Sequence, residues 1–253
     1  MKHHFSVSAT LPRKAFRLAR SASVLALSMV LFACAHQPSA TIAADPAVMT
    51  EAKLTQMSAD QALQVLKDGN ARFVSGNTIK RDLPAQVKAT GHDGQFPLAS
   101  IVSCIDSRSA PSQVFDQGVG DLFVASVAGN VVNEDILGSL EYASKVVGTK
   151  LIVILGHTHC GGVKGACDAA ELGNLTQLVN KIRPAVNMTP DVQGSDRSSK
   201  NHHFVDAVAE NNVKLNVKVV LDKSPVLREM AQKGQIKVIG AMLDVETGKI
   251  RFF

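Results

Sequence analysis

The 253-residue chain contains no tryptophan and a single tyrosine, Tyr142, and aromatic residues make up only 4% of it. Among its four cysteines there is no C-x-x-C pair, which leaves dithiol redox chemistry without its motif. It shows no internal repeat. No apolar run reaches the roughly 20 residues that a membrane-spanning helix needs. Nor does either charge dominate once the first 33 residues are set apart. Lys2, Arg13, Lys14, Arg17 and Arg20 lie in that stretch with no acid among them, leaving 22 bases against 22 acids in the remainder. The formal net charge of +5 therefore belongs to the leader, and no basic face is left to capture nucleic acid. A 45% hydrophobic fraction with balanced charge suits one fair-sized core and excludes a disordered chain.

The leader has the form of a secretory signal, with a basic stretch running into the apolar segment Ser21–Ala33. Two processing outcomes fit. Leu31-Phe32-Ala33-Cys34 resembles a bacterial lipobox, which would make Cys34 the lipidated first residue of the mature chain; Ala33-Cys34-Ala35 also fits small-x-small cleavage ahead of His36. Both predict export to a bacterial periplasm, the first with a lipid anchor in the outer membrane as the sole membrane contact. The expected organisation is a signal peptide over 1–33, a tether rich in Ala, Pro, Ser and Thr over 34–53, and a functional domain over 54–253.

Within that domain, Ser58-Ala-Asp-Gln61 reads as a capping box opening a helix through Phe73 that Gly76 ends. Four apolar, β-branched-rich runs predict strands, at 98–104, 122–128, 150–156 and 236–243. Asn133 opens a helix with Ile136, Leu137, Leu140, Val146 and Val147 turned inward. Further helices are predicted over 202–221 and, behind the Ser224-Pro225 start, over 225–233. A terminal hairpin turns through Thr247-Gly248, and 194–201 is a polar loop. Strands alternating with helices give an α/β class with a mainly parallel sheet flanked by helices.

Beyond Cys34, three cysteines remain, an odd number that argues against a disulfide framework. Cys104 closes one predicted strand, and His157 to Cys160 close another. Parallel strands end at one sheet edge, where open α/β sheets build their sites. Two thiolates and an imidazole converging there suit tetrahedral Zn²⁺, with the fourth position open or held by a carboxylate. Isolated cysteines are ordinarily small buried hydrophobes. That reading leaves unexplained Cys104-Ile-Asp106-Ser-Arg108 on one strand end and Gly156-His157-x-x-Cys160-Gly-Gly162 on the other.

These two segments, with Phe115–Phe123, Ala128-Gly-Asn130 and the terminal Asp-x-x-Thr-Gly-Lys-x-x-Phe pattern, resemble the β-class carbonic anhydrases from Leu54 onward. The resemblance implies one zinc per chain on Cys104, His157 and Cys160. It also implies reversible hydration of CO₂ to bicarbonate and a proton by attack of zinc-bound hydroxide. In three-histidine sites zinc lowers the pKa of bound water from about 15.7 toward about 7, and two thiolates, donating more charge, should leave it less acidic here. Asp106 and Arg108 resemble the catalytic dyad. Asp106 either pairs with Arg108 and orients the nucleophile or swings onto zinc as its fourth ligand, and Arg108 offers a bidentate fork. Gln95, Phe123 and Tyr142 match substrate-pocket positions, often supplied by a neighbouring subunit, and the Gly161 N–H matches a bicarbonate donor. Phe123 and Tyr142 also read as core residues.

The chain departs from the family pattern at several points. Ile101 stands where members gated by noncatalytic bicarbonate carry Trp, Ser112 where an acid is common, and Ser126 where an Arg often precedes Ala-Gly-Asn. His159 should point away from the metal, His202 and His203 open a helix, and Cys167 reads as a buried helix residue. Two rival functions keep the same residues: CS₂ or COS hydrolysis on this fold, and a non-catalytic zinc-binding lipoprotein, which would have no need of Asp106, Arg108 and Gln95. The resemblance further implies a homodimer or homotetramer.

Overall fold

A computed structural model describes residues 47–253, so the expectations for the leader and for Cys34 lie outside the described residues. The first element among the described residues is a short helix, α1 (Glu51–Gln56), capped by the Thr50 hydroxyl and starting three residues ahead of the buried Leu54. Helix α2 (Ala59–Ser75) follows with the capping box complete, Ser58 and Gln61 each accepting the other's backbone N–H, and it ends at Gly76 in the left-handed conformation. Helix α3 (Leu83–Asp93) has no counterpart in the sequence reading. Its interior Gly91 and sparse apolar residues give little helical periodicity, and the Asp82 cap and Pro84 in its first turn start it locally.

The strands are β1 (Ala99–Ser103), β2 (Leu122–Ser126), β3 (Leu151–His157), β4 (Lys237–Leu243) and β5 (Ile250–Phe252), ordered β2-β1-β3-β4-β5. All pairs are parallel except β4 with β5, which closes through the Thr247-Gly248 turn. Central β3 is buried along its whole length because helices cover both faces. Its period of two divides the core. Leu151, Val153 and Leu155 join Ala62, Leu66 and Phe115 on one face, while Ile152 and Ile154 join Val179, Ile182, Phe204, Val208 and Val213 on the other.

Short α4 (Pro111–Val114) lies between β1 and β2. Helix α5 (Glu134–Glu141), capped by Asn133 as the sequence predicts, continues into a π-helical turn at Tyr142–Val147. That wider turn breaks the 3.6-residue phase, so Val146, expected inward, is 70% exposed. After β3 come α6 (Gly161–Cys167), α7 (Gly173–Met188), α8 (His202–Lys223) and α9 (Pro225–Gln232). Helix α6 is the one expected around Cys167, whereas the glycine opening α7 and Pro184 inside it leave α7 without a readable periodicity. Among the described residues no helix is long and apolar enough to cross a membrane.

Candidate active site

The register Ser103–Leu155 and Ser103–Ser126 aligns the carboxyl ends of β2, β1 and β3. Three connections leave the sheet at this edge, one carrying Cys104, one the 3₁₀ turn Ala128–Asn130, and one His157 to Cys160. The expected ligands meet there. Donor atoms of Cys104, His157 and Cys160 all lie within 4.8 Å of one another, and all three residues are buried. Both cysteines are free, with their sulfurs 4.0 Å apart. That is far beyond a disulfide bond and close to the roughly 3.8 Å that separates two thiolates sharing a tetrahedral zinc at about 2.3 Å.

The imidazole is prepared for the same task. His157 Nδ1 lies 2.8 Å from the Thr158 carbonyl, an oxygen that only accepts, so in the neutral imidazole that a metal binds, Nδ1 carries the proton and Nε2 the lone pair. Nε2 is buried without a hydrogen-bond partner, a costly state for a polar atom unless a ligand completes it. Two sulfurs and an uncommitted imidazole nitrogen form a soft donor set that fits zinc.

Charge is distributed unevenly over the set. The hydrogen bond with Cys160 holds the Cys104 thiol well below its ordinary range against burial, helped by His157 and by the Gly129 N–H 3.4 Å from Cys104 Sγ. The same bond, together with burial, drives Cys160 upward, so the pair keeps one proton at neutral pH. Burial pulls His157 down, but the adjacent Cys104 sulfur and its charge outweigh that and raise it overall.

Asp106 stands at the rim as the cap of a 3₁₀ turn, Ser107–Ser109. Its Oδ1 accepts from the Arg108 backbone N–H at 2.9 Å and Nε at 3.0 Å, and its Oδ2 from Nη2 at 2.8 Å. The Arg108 fork brings the carboxyl down to about 2. Of the two arrangements expected for Asp106, the structure has the paired one. Its Oδ2 lies 3.9 Å from His157 Nε2, outside the three-donor cluster. Gly161 opens α6 directly after Cys160.

Other expected residues stand apart from this cluster within one chain. Phe123 is opposite Ser100, three residues upstream of Ser103 and so about 10 Å along the strand from the edge. Its ring centroid is 6.5 Å from that of Tyr142, and both border an open groove along the unpaired side of β2. Gln95 precedes β1 at the opposite end of the strand from Cys104 and is exposed. Ile101 is wholly buried, and Ser126 meets Ser103 through their hydroxyls at 3.0 Å.

His159 adopts a positive φ of 57° and turns away from the donor set. Its N–H donates to Asp206, its ring lies 5.0 Å from that of His202, and its Nε2 is 3.4 Å from Glu246. Cys167 ends α6 half-buried. Missing from the sequence reading were the Gly129 amide and, behind it, two buried amides, Asn212 and Asn216. The signal for the amides was present, as polar residues within the apolar phase of Val208, Val213 and Val220.

Solved structures place this fold among the β-carbonic anhydrases. That of CafA from Aspergillus fumigatus is 29% identical with a TM-score of 0.59, covering 77% of this chain and 89% of that one. A tetrameric β-carbonic anhydrase of Sordaria macrospora is 25% identical with a TM-score of 0.56, covering 67% and 90%. The family model for carbonic anhydrase matches residues 99–250, and carbonic anhydrase 2 of Mycobacterium tuberculosis is 34% identical over 193 residues, 74% of this chain and 89% of that protein. The chain belongs to the carbonic anhydrase family, in its β class. Nothing in these matches supports the CS₂ or COS reading or the silent binding module.

Proposed function

We propose that this carbonate dehydratase interconverts CO₂ and bicarbonate at the sheet edge, with one zinc ion per chain held by Cys104, His157 and Cys160. The observation that carries the reading is the convergence of two buried sulfurs and the uncommitted Nε2 of His157 within 4.8 Å. Bound there, zinc supplies the Lewis acidity that brings the ionisation of water toward neutral pH. The chain supplies orientation and charge. Asp106, held ionised and immobile by Arg108, accepts a hydrogen bond from the reacting water and aims its lone pair at the carbon of CO₂. The Gly161 N–H donates to an oxygen that becomes anionic as bicarbonate forms. Burial of Cys104, His157 and Cys160 keeps bulk water from competing for these groups.

Gln95, Phe123 and Tyr142 complete the substrate pocket from a second copy of the chain. Support comes from the unpaired β2 edge, where Val124 and Tyr142 are exposed, and from the tetrameric relative in Sordaria macrospora. A homodimer is the smallest assembly that brings them together, and a homotetramer extends it. Residues 1–33 serve as a secretory signal that delivers the enzyme to the periplasm, tethered to the outer membrane where Cys34 is lipidated.

Stopped-flow CO₂ hydration by the purified domain at pH 7 and above pH 8, with zinc determined on the same sample, tests the central reading. The expected result is about one zinc per chain and a rate that rises with pH. Zinc present without hydration at either pH would refute it.

A further inference from the structure

Helix α8 buries two asparagines one turn apart on its core face, Asn212 at 1% and Asn216 at 6% exposure. An amide in such a place is costly unless its hydrogen bonds are made, and here they are. Asn216 Oδ1 accepts the Val132 N–H at 2.7 Å, which fixes the orientation of that amide. Its Nδ2 then donates to the Asn212 carbonyl at 2.8 Å and to Asn212 Oδ1 at 3.1 Å. With Oδ1 so occupied, Asn212 Nδ2 faces the Gly129 carbonyl and donates to it at 2.8 Å. Exchanging O and N in either amide would set donor against donor, so the chain of bonds has one direction.

The segment held in this way is the 3₁₀ turn behind the donor set. Gly129 has a φ of 69°, and a Cβ there would stand 2.4 Å from Ile182 Cδ1. Its N–H is the one donated to Cys104 Sγ. The turn also touches the other cysteine loop, because a Cβ on Gly162, two residues beyond Cys160, would lie 3.1 Å from the Gly129 nitrogen. One turn therefore abuts the loops of both sulfurs, and its most rotatable residue is anchored from behind by an amide that reaches no ligand itself.

We infer that Asn212, braced by Asn216, is a positioning residue for the metal centre: through the Gly129 carbonyl it holds the Gly129 N–H on the Cys104 sulfur and so sets how strongly that thiolate holds and donates to the metal. The inference rests on the zinc reading proposed above. Hydrogen bonds to a ligating sulfur drain charge from it, and outer partners of this kind alter metal affinity by about 10–100-fold.

The test compares the parent with Asn212→Ala and with Val220→Ala, a cavity substitution at a buried position eight residues, roughly 12 Å, further along the same helix. Zinc affinity is measured by chelator competition, and the sulfur-to-metal charge-transfer band is recorded on the cobalt(II) forms. Asn212→Ala is expected to weaken zinc binding by roughly 10-fold or more and to move the band to lower energy, while Val220→Ala loses thermal stability with band and affinity unchanged. Should Asn212→Ala fail to fold, Asn216→Ala, one bond further back, is expected to shift both readouts in the same direction by less. An unshifted band with unchanged affinity in the folded variant overturns the inference, as does an equal shift in Val220→Ala. A parent that takes up neither metal overturns the zinc reading, and this inference with it.

Discussion

Replacing Arg108 by alanine separates two things that Asp106 brings to the site, its charge and its aim. The Arg108 side chain supplies two of the three bonds to the carboxylate, at 3.0 and 2.8 Å, leaving only the backbone N–H at 2.9 Å. Without the fork, the carboxyl rises from about 2 toward the ordinary 3.8, but either value leaves it ionised at pH 7. The charge survives; the orientation does not. A displacement of about 1 Å in a group that aligns reactants costs on the order of 10²-fold in rate. The freed carboxylate also has a second place to go, since its Oδ2 is already 3.9 Å from His157 Nε2 and a side-chain rotation would bring it among the donors. Arg108→Ala should therefore keep its zinc and lose about 10²-fold in kcat/KM for CO₂ hydration. Arg108→Lys should recover little, because an ammonium cannot grip both oxygens of a fixed carboxylate. Stopped-flow hydration with zinc analysis on each variant makes the comparison. Activity within threefold of the parent would refute the reasoning, and so would loss of zinc together with activity, which would make Arg108 a support of the ligands instead of an orienter of Asp106.

Three further outcomes are expected. Zinc uptake by the metal-free protein at pH 6 should release fewer protons than two ordinary thiols and an imidazole would, because Cys104 has already lost its proton to the pull of its neighbours; calorimetry in buffers of different ionisation heat gives the number. Burial pushes Asp116 up, but bonds from Arg72, Arg81 and the Ile79 N–H outweigh it and hold its pKa below 3.8. Its contribution to stability is accordingly complete above about pH 4 and disappears as pH falls through the lowered folded value, so urea midpoints should drop there in the parent but less in Asp116→Ala. That variant should itself be less stable by about 3–5 kcal/mol at pH 7, because the Arg81 side chain, only 8% exposed, is left without its counter-charge. Gly162→Ala should impair zinc retention more than global stability, since its Cβ would press on the backbone of the Gly129 turn; equal zinc affinity by chelator competition would contradict this.

Much of the site was legible before any coordinates. Cys104 and His157 are strand-end residues, and in a parallel sheet the period of two and the common direction of the strands bring such ends to one edge whatever the details of packing. The capping box at Ser58, the Asn133 cap and the Thr247-Gly248 turn were equally readable, because each is a local hydrogen-bond pattern written within four residues. What escaped the sequence was non-local or atypical in composition. Helix α7 begins with glycine and is held by burial of Val179 and Ile182, a stabilisation that propensity does not record. The outward turn of Val146 follows from a π-helical register that a 3.6-residue period cannot foresee.

The sequence by itself determined the class of fold and that Cys104, His157 and Cys160 lie at strand ends of one sheet edge, while Asp106 and Arg108 were marked by the family resemblance. Tertiary structure alone decided the rest. It put Asp106 on Arg108 and left Nε2 of His157 without a partner. It also left Phe123 about 10 Å from the donor edge, and turned the Gly129 N–H onto Cys104 with Asn212 behind it. The physical reason is common to all four. A carboxylate's aim, an imidazole's free face and an amide's direction are fixed by hydrogen-bond partners and burial, which depend on which segments meet in space and not on the order in which their residues are joined.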